Sequence, residues 1–587
     1  MPEGEVSVPA QPTWRRMLPW ALCVLPVAIF AIQAWDHRWI LDDGFINFRI
    51  VRQIEAGNGP VYNAGQRVEA FTSPLWIVVL TIVDLLTPIR LEWISVVFGI
   101  GFAVAGLGFA VAGSARLWHV IAKPSNLAPF GILVPLALYP MWYFASSGLE
   151  TGTIFGWMGL SMFVLGRWAR AERESLSPWA GCLLGLGWLI RPELVLVSLA
   201  LLLAVIIGQG IRPWRRTIVL LLAAFVLPAL YQLFRMGYYA SLVSNTAYAK
   251  KATTANWSRG AVYLREFGGD YALWIPLLAL LLAGYVPIAR ALRTQPHRRA
   301  AIVALAFPVG GALVALYVVR VGGDYIHARL LLPPLFAVLV PVALLPFRAR
   351  TFGAIAVAVV VPWAIVSALW LRPQQRYQVT LDKRENLITV EDVIEEPAVR
   401  VADNYYDGRI FWEQKRLRYA PNPKLVRKTG GLAFIGTTGF IVGPHVDILD
   451  TLGLSDALDA RFQTTGGTSI AGHEKPMPAA WAAARLTAPE ARPQSSSFPV
   501  RGFGFVIDPL IPVTEGKEFQ RQVTQVRRAL QCGELKQFQD AYTKPLTLGR
   551  FFGNVGRSFT TFGFSIPPDP DTAVRTFCGA AVVGRAR

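Results

Sequence analysis

The chain has 587 residues, of which 53% are hydrophobic and only 16% charged, and its mean hydropathy is +0.41. Most of the apolar residues lie in long blocks before residue 372, which excludes a large soluble enzyme and indicates a polytopic membrane protein with a water-soluble tail. The net charge of +19 would suggest nucleic acid in a soluble protein. Here much of the excess sits in short loops between apolar runs, where membrane topology accounts for it, so nucleic acid is not an expected partner.

In chain order, residues 1–13 are polar, Trp14-Arg15-Arg16 follows, and Met17 to Trp35 is apolar and long enough to span a bilayer. Ala31-Ile32-Gln33-Ala34 is a poor cleavage site, so this run is read as an uncleaved first helix with a cytoplasmic N-terminus. Further spans are expected at 73–90, 92–112, 127–145, 149–166, 178–191, 193–210, 215–235, 271–290, 300–319, 328–346 and 351–371. The basic clusters around Arg167, Arg212, Arg293 and Arg348 mark cytoplasmic loops. Loops 37–72, 191–192, 236–270 and 320–327 and the tail then face outward. Counting every candidate as a crossing would put the tail inside, so one segment between 73 and 166 must be re-entrant, interfacial or merged. The expected architecture is a helical membrane domain over 1–371 with about 11 transmembrane helices, followed by an extracytoplasmic α+β domain over 372–587.

The most informative local feature is Asp42-Asp43, just past the first apolar run. Charges near hydrocarbon cost roughly 2.5–3.5 kcal/mol each, and folding does not require them there. The pair is therefore a candidate for chemistry, against the alternative of an acidic helix start. Outward loops also carry cations that topology does not explain: Lys250, Lys251, Arg259, Arg265, Arg320 and Arg329. Such a cluster suits a phosphate, for which Arg supplies bidentate donors and Lys a point charge, or else anionic lipid headgroups. Three polar strings mark the same face: Ser146-Ser147-Gly148-Leu149-Glu150-Thr151, Arg191-Pro192-Glu193, and Gly322-Gly323-Asp324-Tyr325-Ile326-His327-Ala328-Arg329. Each is either a structural ion pair closing a helix turn or part of the rim of a polar cavity.

In the tail, an acidic stretch at 391–396 reads as a solvated or helical face, and Gly- and Thr-rich turns break up short β-like runs. Cys23 and Cys182 lie in expected helices as small apolar fillers. Cys532 and Cys578 both fall in the outward tail, where an oxidising compartment favours a disulfide.

The ordered set Leu41-Asp42-Asp43-Gly44-Phe45, Ser147-Gly148-Leu149-Glu150-Thr151, Arg191-Pro192-Glu193, Asn245-Thr246-Ala247-Tyr248-Ala249-Lys250, Gly322-Gly323-Asp324-Tyr325 and Gly472-His473-Glu474-Lys475 resembles the polyprenyl-phosphate-dependent glycosyltransferases of the GT-C superfamily. Within them it is similar to the mycobacterial terminal β-(1→2)-arabinofuranosyltransferases of cell-wall arabinan synthesis. The acidic pair alone is shared by many lipid-linked sugar transferases, whereas the ordered set is far more specific. The resemblance implies a GT-C fold, a decaprenyl-phosphoryl-arabinofuranose donor, and an acceptor at the non-reducing ends of arabinogalactan or lipoarabinomannan. Lipid phosphate leaves without being protonated, so the demands on the protein are alignment, charge stabilisation and handling of one acceptor proton. On this reading Asp42 is the leading catalytic carboxylate and Asp43 its partner. Lys250, Lys251, Arg191 and Arg329 are phosphate ligands. Glu150, Glu193, Asn245, Tyr248, Asp324, His327, His473, Glu474 and Lys475 are candidates for contact with donor sugar or acceptor.

No cofactor is expected. A divalent ion held by the two acids is the less favoured alternative, because no third hard ligand stands at convincing spacing. A flippase using the acids as a proton relay is the runner-up from another class. It is disfavoured because no internal repeat is visible and the charges gather at one face. The sugar itself, arabinose rather than mannose, rests on the resemblance alone.

Overall fold

The computed structural model describes residues 13–122, 126–171, 176–210, 214–250, 254–324, 326–347, 352–371, 429–432, 435–464, 475, 477–487 and 516–579. They are mostly helical. Among the described residues, five helices are long and apolar enough to cross a membrane: Leu91–Ile121, Pro192–Gln209, Trp214–Tyr239, Trp274–Ala291 and His297–Val321. Trp214–Tyr239 leaves Leu222, Val226, Leu230 and Leu233 exposed. A soluble protein would bury such a stripe, whereas a lipid-facing helix presents it.

The helices Leu91–Ile121 and Thr151–Arg170 form the tightest pair, and glycines at seven-residue spacing explain why. Gly99, Gly106 and Gly113 on one face Gly152, Gly159 and Gly166 on the other. A Cβ at Gly106 would stand 2.3 Å from the Phe155 carbonyl oxygen, and one at Gly159 would stand 2.0 Å from that of Gly106. Lipid tails are as apolar as leucine, so close backbone contact rather than hydrophobicity drives such pairing. At the opposite end from Glu150, Leu127–Ala128 pairs antiparallel with Leu345–Pro346 and ties two connections together.

Asp42 and Asp43 open the Asp42–Glu55 helix, where carboxylates favour the positive end of the helix dipole. Beside it runs Pro74–Leu86, a helix of 13 residues and therefore about 20 Å, short of the roughly 30 Å hydrocarbon core. Its Asp84 pairs with Arg52 at 3.2 Å, so the two helices lie side by side with their polar groups matched.

The tail packs onto this end of the helices. Its core of Trp481, Phe519, Val526, Leu535 and Phe538 takes in Val68 from the 37–72 loop. Arg67 of that loop donates to the carbonyls of Ala541 at 2.8 Å and Lys544 at 2.7 Å. Among the described residues the tail is mainly helical, with one parallel pair of strands, Thr429–Leu432 and Asp447–Asp450. Cys532 and Cys578 are joined in a disulfide with their Cα atoms 5.1 Å apart.

Candidate active site

A cavity of about 430 Å³ opens among the helix ends that meet the tail. Its polar lining is built by position. Asp43 and Asn47 come from one turn of the Asp42–Glu55 helix, and Glu150 caps the start of Thr151–Arg170. Arg191 and Glu193 flank a proline between two apolar runs, and Asp324 and Arg329 bracket the turn after Gly322-Gly323. Leu454 and Phe562 reach in from the tail.

The charges are organised in two linked sets. Arg329 lies 3.1 Å from Asp43 and 3.6 Å from Asp324. Arg191 donates to Glu150 at 2.5 Å and to Glu193. Each guanidinium is thus shared between two acids while keeping N–H donors for a ligand. Arg235, a third lining cation, is held in a fork by Glu69, which also accepts from the Tyr231 hydroxyl at 2.6 Å. Lys250 also lines the cavity and makes no ion pair among the described residues.

The two acids of the motif part company. Consecutive residues on a helix diverge by about 100°, so Asp43 faces the cavity and Asp42 faces the tail. Asp42 accepts from the Thr437 backbone N–H and Oγ1, both at 2.8 Å, and from the Gly436 N–H at 3.0 Å. Burial raises its pKa, and the hydrogen bonds from Thr437 and Gly436 oppose that rise. The expected leading carboxylate therefore anchors the tail, and the expected partner is the one that reaches the cavity.

Four other candidate residues also stand away from the cavity. Asn245 Nδ2 donates to the carbonyls of Gly453, Leu454 and Asp456, at 2.8, 3.1 and 3.1 Å. The Tyr248 ring lies 3.4 Å under the Arg461 guanidinium. Lys475 Nζ donates to Tyr248 O and Ala460 O, at 2.9 and 2.8 Å. These three weld the 244–250 segment to the tail and do not line the cavity. His327 turns away from it, against the rings of Phe267 and Tyr271. Lys251, His473 and Glu474 lie outside the described residues. Arg259, one of the cations expected at a phosphate, lines the cavity, as do Asn47, Thr246, Arg235 and Tyr317, for which the sequence suggests no role. Arg235 was the most findable: a single arginine near the outward end of an apolar run.

His327 supplies a pH handle. Burial lowers its pKa to about 4. The neutral ring is the folded form, so its contribution is complete above the unfolded value near 6.5 and is lost as pH falls through 4. By pH 5 the loss amounts to about 2 kcal/mol. His327→Phe should therefore shrink the drop in melting temperature between pH 7 and pH 5. An identical drop in both proteins would assign the acid sensitivity elsewhere.

Among the described residues, no three His, Cys, Asp or Glu side chains converge as a metal-binding group. No protein-family profile matches the chain. A partial likeness, with TM-score 0.36 and 15% identity over 57% of this chain and 60% of the other, links it to ArnT from Cupriavidus metallidurans bound to undecaprenyl phosphate. The sequence comparisons reach much further. A terminal β-(1→2)-arabinofuranosyltransferase of Mycobacterium tuberculosis is 30% identical over 93% of this chain and 95% of its own length. One from Corynebacterium glutamicum is 31% identical over 95% of this chain and 87% of its own. Identity at this level along nearly the whole of both chains places this protein in the terminal β-(1→2)-arabinofuranosyltransferase family.

Proposed function

We propose that the protein moves D-arabinofuranose from decaprenyl-phosphoryl-arabinofuranose to the non-reducing ends of cell-wall arabinan, in arabinogalactan and lipoarabinomannan, forming terminal β-(1→2) linkages. The observation that carries this reading for the site is Asp43, held beside Arg329 at 3.1 Å in a cavity that Lys250 also lines. A carboxylate beside a guanidinium at the cavity wall is placed to meet a sugar carbon or take a hydroxyl proton. Lys250 and the unused N–H groups of Arg191 and Arg329 suit the donor phosphate. Asp324, Glu150 and Glu193 orient these cations and can accept from sugar hydroxyls.

The sugar C1–O bond breaks with its electron pair going to the lipid phosphate, and the acceptor oxygen forms the new C1–O bond as its proton passes to the released phosphate. A β donor giving a β product retains configuration, whereas a single displacement inverts it. Two displacements through an ester at Asp43 satisfy that requirement, as carboxylate pairs do in glycoside hydrolysis. No step needs a metal or other cofactor. The test is transfer of labelled arabinose from the lipid donor to a synthetic arabinan by purified protein, with and without EDTA. Transfer that survives EDTA is expected. No transfer by folded protein, or transfer of mannose in its place, would overturn the assignment.

The same reading places about eleven crossings in a GT-C arrangement, with the N-terminus in the cytoplasm and the cavity and tail outside. Pro74–Leu86 is the non-crossing segment, because its Asp84 pairs with a helix of the outer face. That assignment satisfies the parity required by the arginine-rich loops.

A further inference from the structure

The tail carries an amphipathic helix that nothing in the proposed chemistry uses. Leu548–Thr560 begins at Thr547, whose hydroxyl accepts from the Arg550 N–H at 3.2 Å. Leu548, Phe552, Val555 and Phe559 follow at i, i+4, i+7 and i+11, which is one stripe of a helix. Leu548 is 81% exposed, Phe552 66% and Phe559 63%. Arg550 and Arg557 project about 180° away from that stripe. A soluble domain does not leave such a face uncovered.

Its position says what covers it. Asn554 Nδ2 donates to Gly237 O at 3.0 Å, the Phe551 ring fills the space a Cβ at Gly237 would need, and Thr561 Oγ1 donates to Ala240 O at 3.1 Å. The tail helix is thus fixed to the end of Trp214–Tyr239. That end lies roughly 35 Å along the helix from Trp214, beyond a hydrocarbon core of roughly 30 Å. Gly237 therefore sits at the lipid–water boundary, next to the exposed Leu230 and Leu233. The apolar stripe continues the lipid-facing surface of this span and leads to Phe562, which lines the cavity beside Leu242 and Val243.

We infer that Leu548–Thr560 lies in the outer lipid–water interface with its phenylalanines among the acyl chains, and that with Phe562 it forms one side of the passage from bilayer to cavity. The anchoring rests only on the membrane reading, whereas the passage rests on the proposed lipid-linked donor.

Nitroxide labels at Phe552→Cys, Phe559→Cys and Arg557→Cys, in full-length protein carrying Cys23→Ala and Cys182→Ala and reconstituted in vesicles, test the anchoring. These positions are exposed or only partly buried, so the labels do not disturb the core. Oxygen should relax the labels at 552 and 559 far more than a water-soluble nickel chelate does, with the reverse at 557. Nickel reaching 552 and 559 as freely as 557 would place the helix in water. Neither reagent reaching them would mean that another protein chain covers it. Either result overturns the inference.

The passage has its own readout. Phe552→Ser/Phe559→Ser should raise KM several-fold for a long-chain lipid donor in vesicles while leaving kcat, and the KM of a short-chain soluble donor, unchanged. An unchanged long-chain KM would remove the passage role. If the sugar assignment failed, the collision data would still decide the anchoring.

Discussion

Replacing Asp43 with Asn is expected to lower kcat for arabinosyl transfer by about 10³-fold, within the range seen when a positioned acid or base is lost. The amide is nearly isosteric and can still accept from Arg329, which pairs with Asp43 at 3.1 Å, so the fold and its melting temperature should hold. Asp42→Asn should behave differently. Its Nδ2 would face the Gly436 or Thr437 N–H, donor against donor, and cost the docked tail about 1–3 kcal/mol. A moderate loss of transfer and faster proteolysis of the tail are the expected signs. The reverse ranking, with Asp42→Asn inactive but intact and Asp43→Asn active, would return the central role to Asp42. Azide separates the two possible duties of Asp43. In Asp43→Ala, azide replacing a lost nucleophile gives an α-arabinofuranosyl azide from a β donor, whereas loss of a base alone gives no such product.

The sequence was informative where physics acts locally. Apolar runs of about twenty residues have few fates, and a charged pair at their outer lip has a price that points to use. It was uninformative where the partner lies hundreds of residues away. Asn245, Tyr248 and Lys475 read as polar groups in search of a substrate because their true partners, near residues 453–461, cannot be seen from the local string. Which of the two acids faces the cavity was not legible for a smaller reason. A helix beginning at Asp42 turns Asp43 by about 100°, so which of the two meets the cavity depends on a start point known only to within a residue or two. The glycines at 99, 106, 113, 152, 159 and 166 did leave a trace in their seven-residue spacing, which becomes readable once close backbone contact is sought.

The second large effect is expected at Arg49, which carries no catalytic duty. Its guanidinium is 1% exposed and is satisfied mainly by backbone carbonyls. It donates to Tyr62 O at 2.8 Å, Gly443 O at 2.9 Å, Val446 O at 2.6 Å and Gly439 O, and to Asn63 Oδ1 at 3.2 Å. One side chain on the Asp42–Glu55 helix thus holds the 37–72 loop and the 439–446 segment of the tail together. Arg49→Met preserves much of the volume but strands these acceptors, so the docked state should weaken by about 3–5 kcal/mol. The measurement is limited proteolysis alongside thermal melting in detergent, and wild-type values for both would show that this clasp does not hold the tail. The kind of defect matters as much as its size. Gly436 and Thr437, which occupy Asp42, belong to the same docked segment as Gly439 and Gly443, so releasing that segment also frees Asp42. Arg49→Met should therefore reproduce the tail defect of Asp42→Asn while leaving Asp43 beside Arg329 and its chemistry recoverable at low temperature, where Asp43→Asn stays inactive.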